Sequence, residues 1–370
     1  MLTIVPFTSD WSPAVRDFNH RLLAGGLDDT LAFPELPEPE FRATAPASLS
    51  QEFFLAVDDG VVRGAYFLTI EPWSLYGRAI TVGNYRLPLS EGLINPEYRG
   101  VALAIMRHAL KRQPFIYCLG MGSYDRPLPR TLAAMKWPMF TTPFFFHSVR
   151  PARVLRNLRS VRRTAARRMA FDIAAFTGAA TLGMGAMQMM RSRRVSRANA
   201  TVSVTGEFGS WADNVWARVS KQYTLIAKRD ASVLNTRYPT DDARFVRLTI
   251  ERSGSVIGWA ILLDTQMSGH KHFGDLRVGT IVDVFGEPAD APLIVQSAAA
   301  ALQERGVDLI VSNQSHATWC DAFRSSGFLE GPSNRIFAAS PKLAESLQPV
   351  EQNKAAMHLT RGDAAGPIHL

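Results

Sequence analysis

The chain has 370 residues, 46% of them hydrophobic and 20% charged, a balance that excludes a largely disordered or fibrous protein. This length predicts two domains. The two cysteines, Cys118 and Cys320, lie far apart in the sequence, which excludes a disulfide framework and a cysteine-based metal centre.

The net charge of +8 comes from one segment. Residues 150–197 contain twelve arginines and a single acid, Asp172; taking these from the totals of 41 basic and 33 acidic residues leaves 29 and 32. A protein that binds nucleic acid through a whole domain is usually basic over that domain, so we expect no nucleic acid partner. The N-terminus lacks a basic stretch followed by a long apolar one, so we expect no secretory signal and a cytoplasmic protein.

The first 150 residues alternate between strand and helix patterns. A helix, four strands, a helix, a strand and a helix are predicted, in that order, at residues 12–23, 51–57, 61–70, 78–87, 89–94, 101–112, 115–120 and 128–135. The turn Asp58-Asp59-Gly60 joins the first two strands into a hairpin. This order predicts an α/β domain with a mixed sheet.

The second half repeats this order of elements. A helix, three strands, a helix, a strand, a helix and a last strand are predicted at residues 211–223, 245–251, 256–263, 278–285, 291–306, 307–313, 317–326 and 335–339. The repetition indicates a duplicated architecture, with domains at 1–150 and 201–370 and a linker at 151–200.

The residues between the fourth strand and the second helix of the first domain carry a recognisable motif. Pro96-Glu97-Tyr98-Arg99-Gly100-Val101-Ala102-Leu103-Ala104 resembles the acetyl-CoA-binding motif of GNAT acyltransferases, Gln/Arg-x-x-Gly-x-Gly/Ala, with alanine at 102 in place of the middle glycine. A helix N-terminus offers unpaired N–H groups to a pyrophosphate where small residues allow a close approach. The resemblance implies acetyl-CoA as co-substrate, bound by Leu93, Ile94, Arg99, Gly100, Val101, Ala102, Leu103 and Ala104. The same small residues are also typical of tight helix–sheet packing.

GNAT transfer is a direct attack of an amine or hydroxyl on a thioester, and it needs a base, an acid and oxyanion donors. Glu91, at the end of the fourth strand, is the candidate base, and Tyr124, after the fifth strand, is the candidate acid. Their structural alternatives are a solvated strand-end carboxylate and a packing aromatic residue. Ser123 and Asp125 are candidate acceptor-binding residues.

The C-terminal half resembles a second, more diverged GNAT module. Arg229-Asp230-Ala231-Ser232-Val233-Leu234-Asn235-Thr236-Arg237-Tyr238 is similar to a stretch of GNAT-like proteins from polysaccharide-biosynthesis loci. The position of the phosphate loop reads Phe285-Gly286-Glu287-Pro288-Ala289-Asp290-Ala291-Pro292, and its two acids would repel a pyrophosphate. We expect this half to bind CoA poorly and to supply a scaffold or an acceptor site, with Asp283 and Asn313 as candidate contacts.

The histidines suggest no further chemistry. His316 and Cys320 lie four residues apart, but no acid is placed to complete a nucleophilic triad. His270 and His272 without further ligands make a poor metal site, so we expect no metal.

The linker is basic and then apolar. Residues 151–169 have an amphipathic pattern, and residues 170–190 are long and apolar enough for a membrane span. A span would place the modules on opposite sides of a membrane. A helix lying on an anionic inner membrane surface through residues 151–197 fits the arginines better, and a long helix packed between the domains or in a homodimer is the third interpretation.

We therefore expect an α/β protein with two tandem GNAT-like modules that transfers an acyl group, such as acetyl, from acyl-CoA to a sugar or another small amine or hydroxyl acceptor. One alternative is a relative of the Fem-type aminoacyl or peptidyl transferases, which also pair two such modules. The other is a non-catalytic, membrane-associated scaffold of degenerate modules.

Overall fold

The computed structural model describes residues 1–28, 31–39, 46, 48–157, 183, 186 and 200–364. The predicted linker, apart from residues 151–157, 183 and 186, lies outside them. The strands are β1 (Thr3–Pro6), β2 (Ser50–Asp58), β3 (Val61–Leu75), β4 (Arg78–Ser90), β5 (Ile116–Leu119), β6 (Met139–Thr141), β7 (Phe144–Ser148), β8 (Ala200–Val204), β9 (Leu225–Ala227), β10 (Phe245–Arg252), β11 (Ser255–Gln266), β12 (Arg277–Gly286), β13 (Leu309–Asn313), β14 (Leu329–Gly331), β15 (Ile336–Ala339) and β16 (Met357–His358). The α-helices are α1 (Ser12–Ala24), α2 (Arg99–Arg112), α3 (Pro127–Ala134), α4 (Pro151–Asn157), α5 (Ser210–Val219), α6 (Ala231–Arg237), α7 (Ala291–Glu304), α8 (Ala317–Ser325), α9 (Pro341–Ser346) and α10 (Val350–Asn353).

The first compact unit consists of Met1–Thr141 and Asn334–Asn353. Its sheet has the strand order β1-β2-β3-β4-β5-β15-β6, in which β4 and β5 are parallel and the other pairs antiparallel. Strand β15 (Ile336–Ala339) lies between β5 (Ile116–Leu119) and β6 (Met139–Thr141), although it comes much later in the chain than either of them.

The second compact unit consists of Thr142–Ser333 and Lys354–Leu370. Its sheet has the order β14-β7-β13-β12-β11-β10-β8, with β12 and β13 parallel. Strands β10–β13 repeat the arrangement of β2–β5, and β7 takes the place that β15 takes in the first unit. The structure confirms a mixed α/β fold with two mixed sheets. The unit boundaries also show that residues 142–150, grouped by sequence with the first domain, and residues 334–353, grouped with the second, each fold with the other unit.

The sheet of the first unit is covered on both faces because its strands alternate between two cores. Phe53, Leu55 and Val57 of β2 belong to the same core as Val15 and Phe18 of α1. The intervening residues of β2, Phe54 and Ala56, pack with Val101, Ile105 and Met106 of α2. A period of two is what a strand buried on both faces produces. The turn between β2 and β3 has positive φ at Asp59 and Gly60, as a tight two-residue hairpin requires.

The sequence pattern predicts two strands, at 78–87 and 89–94, where the structure has the single strand β4. The reason is a β-bulge. Ala65 pairs with Leu89 and Phe67 pairs with Arg86, so two residues of β4 face one residue of β3. The bulge shifts by one residue the alternation of side chains between the two faces of the sheet. In the sequence, this shift resembles the end of one strand and the start of another.

The beginning of the basic segment packs onto the second unit. Val154 of α4 is buried against Leu276, Leu309 and Val311. Arg153 forms an ion pair with the buried carboxylate of Asp308 at 3.1 Å. In the part of the chain that the structure describes, no helix has the length and hydropathy needed to cross a membrane.

Candidate functional site

The two parallel strands at the centre of the first sheet separate soon after they meet. Strand β4 pairs with β5 at Gly83–Ile116 and Asn84–Tyr117, and the register ends there although β4 continues to Ser90. In the described residues, the strand partners of β4 are β3 and β5. We call the gap beyond Asn84 the first splay. The carboxyl ends of parallel strands are where α/β folds usually bind ligands.

The bulge of β4 lies along this splay. Leu87 has φ = 45°, which is uncommon for a residue with a branched side chain. Pro88 follows it and has no N–H to donate to the sheet. Bulges and strained backbone of this kind re-aim main-chain groups and are over-represented beside active sites.

The chain between β4 and α2 forms two consecutive 3-10 turns, Glu91–Leu93 and Pro96–Tyr98. The side-chain oxygen of Asn95 begins the second turn by accepting a hydrogen bond from the backbone N–H two residues later at 3.0 Å. Gly92 packs beneath the start of α2, and a Cβ there would lie 2.7 Å from the carbonyl oxygen of Tyr98. The loop and the helix N-terminus therefore support each other through a contact that only glycine allows.

The N-terminus of α2 is accessible. The N–H of Arg99 is bonded to the carbonyl of Pro96 in the preceding turn, and the residue before the helix, Tyr98, makes no side-chain capping hydrogen bond to the N–H groups that follow. A Cβ on Gly100 would meet open space. Of the residues predicted to bind CoA, Leu93, Arg99, Gly100 and Leu103 are exposed, Ile94, Ala102 and Ala104 are half-buried, and Val101 is buried. The partial positive charge of the helix and the Arg99 guanidinium together favour an anion at this place.

Glu91, the predicted base, is buried and held on both carboxylate oxygens. Arg21 of α1 donates through Nε to Oε1 at 2.6 Å, and Arg63 of β3 donates through Nη1 to Oε2 at 2.6 Å. The Arg63 guanidinium also stacks on the Tyr98 ring, with Cζ 4.3 Å from its centre. Both carboxylate oxygens are already hydrogen-bonded to arginines, so the geometry suits an anchor of the loop better than a base.

Sequence reasoning did not single out Arg21 and Arg63. Arg63 interrupts an otherwise apolar strand between Val62, which is buried, and Gly64, which packs under Val101. A charged residue at such a position requires a partner. This requirement can be read from the sequence, but the sequence does not identify the acidic residue that serves as the partner.

Tyr124, the predicted acid, is about half exposed, and its hydroxyl lies 3.3 Å from Oγ1 of Thr141 in β6. Ser123 and Asp125, the predicted acceptor contacts, are exposed beside it, and the Ser123 hydroxyl donates to the Asp125 carboxylate. This hydrogen bond lowers the pKa of Asp125. The three residues form one polar surface between β5 and α3.

The sheet of the second unit has an equivalent gap, which we call the second splay. Strand β12 pairs with β13 from Val278–Leu309 to Ile281–Ser312 and then continues to Gly286. It too has a bulge, because Ile261 pairs with Asp283 and Leu262 with Ile281. The two units therefore share the strand arrangement, the bulge and the splay.

The loop after β12 differs from its counterpart in the first unit. Glu287 pairs with Arg218 at 2.9 Å, and Asp290 pairs with Arg252 at 2.5 Å. Each predicted acid is thus present at the start of α7 and is bound to an arginine. A pyrophosphate would have to compete with these carboxylates for the same cations.

The predicted acceptor contacts of the second unit are not exposed to solvent. Asp283 is 1% exposed and is bound by the buried guanidinium of Arg229. Asn313 is 3% exposed, and its side-chain oxygen accepts a hydrogen bond from Arg361 at 3.2 Å. Both residues lie in the second splay, where they contact residues of the same chain.

The histidines and cysteines occupy structural positions. His316 and Cys320 are buried, and burial raises the pKa of the Cys320 thiol to about 12, which opposes formation of a nucleophilic thiolate. The ring of His270 accepts hydrogen bonds from the backbone N–H groups of His272 and Phe273, so it shapes a turn. Among the described residues, the structure contains no group of three or more His, Cys, Asp or Glu side chains able to hold a metal ion.

Solved structures share this fold along most of the chain. A GCN5-related N-acetyltransferase from Anabaena variabilis matches with a TM-score of 0.52 at 9% identity, covering 91% of this chain and 72% of that one. Saccharomyces cerevisiae N-myristoyltransferase with bound myristoyl-CoA matches with a TM-score of 0.50 at 9% identity, covering 91% and 78%. A conserved protein of unknown function from Enterococcus faecalis V583 matches with a TM-score of 0.50 at 9% identity, covering 94% and 74%.

No family model and no curated protein matches this sequence. At such low identity the structural likeness shows the fold alone: the two units have mixed α/β folds similar to those of these solved structures.

Proposed function

We propose that this protein is an acyl-CoA-dependent N- or O-acyltransferase whose first unit binds the acyl-CoA and transfers acetyl to a sugar or another small amine or hydroxyl acceptor. The observation that carries the proposal is the first splay, which is bordered by a bulged strand and leads to a helix N-terminus without a side-chain cap. Similar folds occur in an N-acetyltransferase and in an N-myristoyltransferase crystallised with its acyl-CoA, which supports the same co-substrate here.

The ligand and the site are chemically complementary at two places. The pyrophosphate of CoA is an anion suited to the N–H groups of α2 and to Arg99. The pantetheine arm is extended and contains two amides, which can pair with the unpaired edge of β4 as an added strand would. This arrangement would bring the thioester to the splay and its carbonyl oxygen near the backbone of the bulge at Leu87, where a main-chain N–H can stabilise the oxyanion.

The reaction would proceed by direct transfer. The acceptor nitrogen or oxygen attacks the thioester carbonyl carbon and loses one proton to solvent, the carbon–sulfur bond breaks, and the CoA thiolate leaves and takes a proton from a donor that solvent reprotonates. Tyr124 is the proposed donor of that proton, and Ser123 and Asp125 are proposed to contact the acceptor. Glu91 keeps its predicted role as base only if it releases one of its two arginines, and this condition is tested below.

A titration of the full chain with acetyl-CoA by calorimetry tests the proposal. Arg99→Glu reverses a charge at the pyrophosphate position and should raise the dissociation constant about tenfold to a hundredfold, the range expected for losing one or two charge-assisted hydrogen bonds. Arg107→Glu is the matched control, since it makes the same charge change at an exposed position of α2 about 12 Å along the helix.

We expect the control to bind like the parent chain, because about 12 Å exceeds the screening length of about 8 Å at physiological salt. Equal weakening of acetyl-CoA binding in both variants would mean that the overall positive potential of the helix, and not a specific site, attracts CoA. Absence of binding at millimolar acetyl-CoA would refute the proposed function.

We further propose that the protein acts at the inner face of a membrane through residues 151–197, whose eleven arginines and one acid favour anionic lipid. Flotation with vesicles of phosphatidylglycerol, compared with neutral phosphatidylcholine vesicles, tests this. Recovery of the chain with the anionic vesicles alone would support the proposal, and recovery with neither kind would refute it.

A further inference from the structure

We propose that the second splay is occupied by the chain itself: residues 356–363, here named the C-terminal strap, fill it as an internal ligand. The second unit is then closed to acyl-CoA, and the protein takes one acyl-CoA per chain. The stoichiometry rests on the proposed function, whereas the docking of the strap stands on contacts within the second unit.

The strap is bonded to β12 on one side of the splay. The ring nitrogen Nε2 of His358 lies 2.8 Å from the carbonyl oxygen of Val284, two residues before the end of β12. A carbonyl can only accept, so Nε2 carries the proton and donates it. This hydrogen bond satisfies a main-chain group beyond Ile281, where β12 has already separated from β13.

The strap is also bonded to the end of β13, on the other side of the splay. Thr360 forms an antiparallel bridge with Gln314, the residue directly after β13. Ser315 binds Leu359 twice: its N–H donates to the Leu359 carbonyl at 3.1 Å, and its hydroxyl oxygen accepts from the Leu359 N–H at 2.8 Å. One short segment therefore bridges both diverging strands, as an extended ligand in the gap would.

A buried ionic cluster fastens the strap. Arg229 lies between two carboxylates, with Nε 3.1 Å from Asp283 and Nη2 2.8 Å from Asp363. Arg237 reaches the other oxygen of Asp363 at 3.3 Å. Two positive and two negative side chains balance each other, which is the condition under which such groups tolerate burial.

The protonation states support this pairing. Burial by itself would lower the pKa of Arg229, but Asp283 and Asp363 outweigh it and raise that pKa. Burial would raise the pKa of Asp363, but Arg229 and Arg237 outweigh it and lower that pKa. The strap side of the cluster is thus ionised at neutral pH and paired with both arginines.

The strap is packed as a core segment and not as a surface tail. Met357, His358, Leu359 and Thr360 are 0% exposed, and Asp363 is 1% exposed. A CoA molecule could enter the second splay only after these residues left it. Their departure would leave Arg229 and Arg237 with only Asp283, and the uncompensated positive charge of this buried cluster would be strongly destabilising.

Hydrogen exchange measured by mass spectrometry on the full chain, with and without saturating acetyl-CoA, tests the inference. Without ligand, peptides covering 356–363 should exchange as slowly as the central strands β11 and β12. With acetyl-CoA, peptides covering 92–104 should gain protection and those covering 286–292 and 356–363 should not. Calorimetry on the same sample should give one acetyl-CoA per chain.

Two serine variants separate docking of the strap from general stability. Ser315→Ala removes the side-chain hydrogen bonds to Met357 and Leu359, so exchange in 356–363 should become about tenfold faster while β2 and β3 are unchanged. Ser325→Ala is the control, because its hydroxyl bonds only locally to Ala322 in the described structure.

Two acetyl-CoA molecules per chain, or exchange of 356–363 within seconds in the free protein, would overturn the inference. Equal responses of the strap to both serine variants would overturn it as well. If acetyl-CoA fails to bind at all, the proposed function fails, while slow exchange of the strap and its response to Ser315→Ala still decide whether the second splay is filled.

Discussion

Glu91 connects three elements of the first unit through one carboxylate. It begins the turn that follows β4, binds Arg21 of α1 and Arg63 of β3, and its carbonyl oxygen accepts hydrogen bonds from the N–H groups of Ile94 and Asn95. Both oxygens of this carboxylate are bound to guanidinium groups, whereas a general base must reach the proton that it abstracts. The structure therefore favours the role of a loop anchor for Glu91 over that of a general base, a choice that its position in the sequence leaves open.

Glu91→Gln is expected to raise KM for acetyl-CoA and to change kcat by less than about threefold, because the loop at α2 loses its anchor but the reacting atoms keep their groups. Steady-state kinetics across pH 6–9 checks this. A base contributes about a hundredfold to ten-thousandfold, so a loss of that size in kcat at unchanged KM would instead establish Glu91 as the base.

His316 is a buried histidine whose protonation opposes folding. Its ring packs edge-on against Tyr223 and lies 6.3 Å from the ring of His358, centre to centre. Burial lowers the pKa of His316 to about 4, and burial, Arg229 and His316 lower that of His358 in the same direction. The unfolded chain therefore binds more protons than the folded one between pH 6.5 and about pH 4.

The free energy of unfolding should accordingly be highest above pH 6.5 and should fall as the pH is lowered toward 4. In His316→Gln, the difference in unfolding free energy between pH 7 and pH 5 should be smaller than in the parent chain by about 2 kcal/mol, from 1.36 kcal/mol per pH unit. Urea unfolding at the two pH values measures it. An identical difference in parent and variant would show that His316 does not contribute.

At the scale of elements, the loop and helix between β4 and β5 contain two glycines that serve different purposes. Gly92 is packed against the backbone of Tyr98 and Arg99, whereas Gly100 faces open space. The first glycine allows the loop to pack under the helix. The second allows a ligand to approach the helix N-terminus.

Gly92→Ala should lower the unfolding free energy by about 1–3 kcal/mol, since its Cβ would press on backbone, and should also weaken acetyl-CoA binding. Gly100→Ala should leave stability unchanged or slightly raised, because alanine is the better helix former, yet should weaken acetyl-CoA binding. Thermal unfolding and calorimetry on both variants measure the two effects. Unaltered binding in Gly100→Ala would place the pyrophosphate elsewhere.

At the scale of the whole molecule, the two units are not consecutive stretches of chain. Strand β15 is hydrogen-bonded on both sides within the first sheet, with Phe337 opposite Leu119 of β5 and Phe140 of β6. The hydroxyl of Ser340 accepts a hydrogen bond from the N–H of Ile116 at 3.0 Å and donates to the carbonyl of Pro114 at 2.7 Å. The first sheet is complete only when this distant segment is present.

A fragment of residues 1–150 should therefore fail to fold cooperatively, because it lacks β15 and exposes the edges of β5 and β6 and the apolar residues that Phe337 and Ala338 cover. Circular dichroism with urea titration, and size-exclusion chromatography against the full chain, check this. A sharp unfolding transition of a monomeric fragment would contradict the role assigned to β15.

The sequence alone determines the structural features that depend on residues close together in the chain. The order of helices and strands, the Asp58-Asp59-Gly60 hairpin and the motif at Arg99 follow from local periodicity, turn residues and small residues. It also determines the duplication, because two halves with the same order of elements fold into the same arrangement of strands.

Only the tertiary structure decides which distant groups meet. The exchange of β7 and β15, the pairing of Glu91 with Arg21 and Arg63, and the contact of Arg229 with Asp363 join residues far apart in the sequence. A charged residue within an apolar segment indicates that a partner of opposite charge is needed, but local sequence patterns do not identify that partner. The strap and the filled second splay were therefore beyond sequence reasoning, because their physical basis is packing between segments that periodicity does not connect.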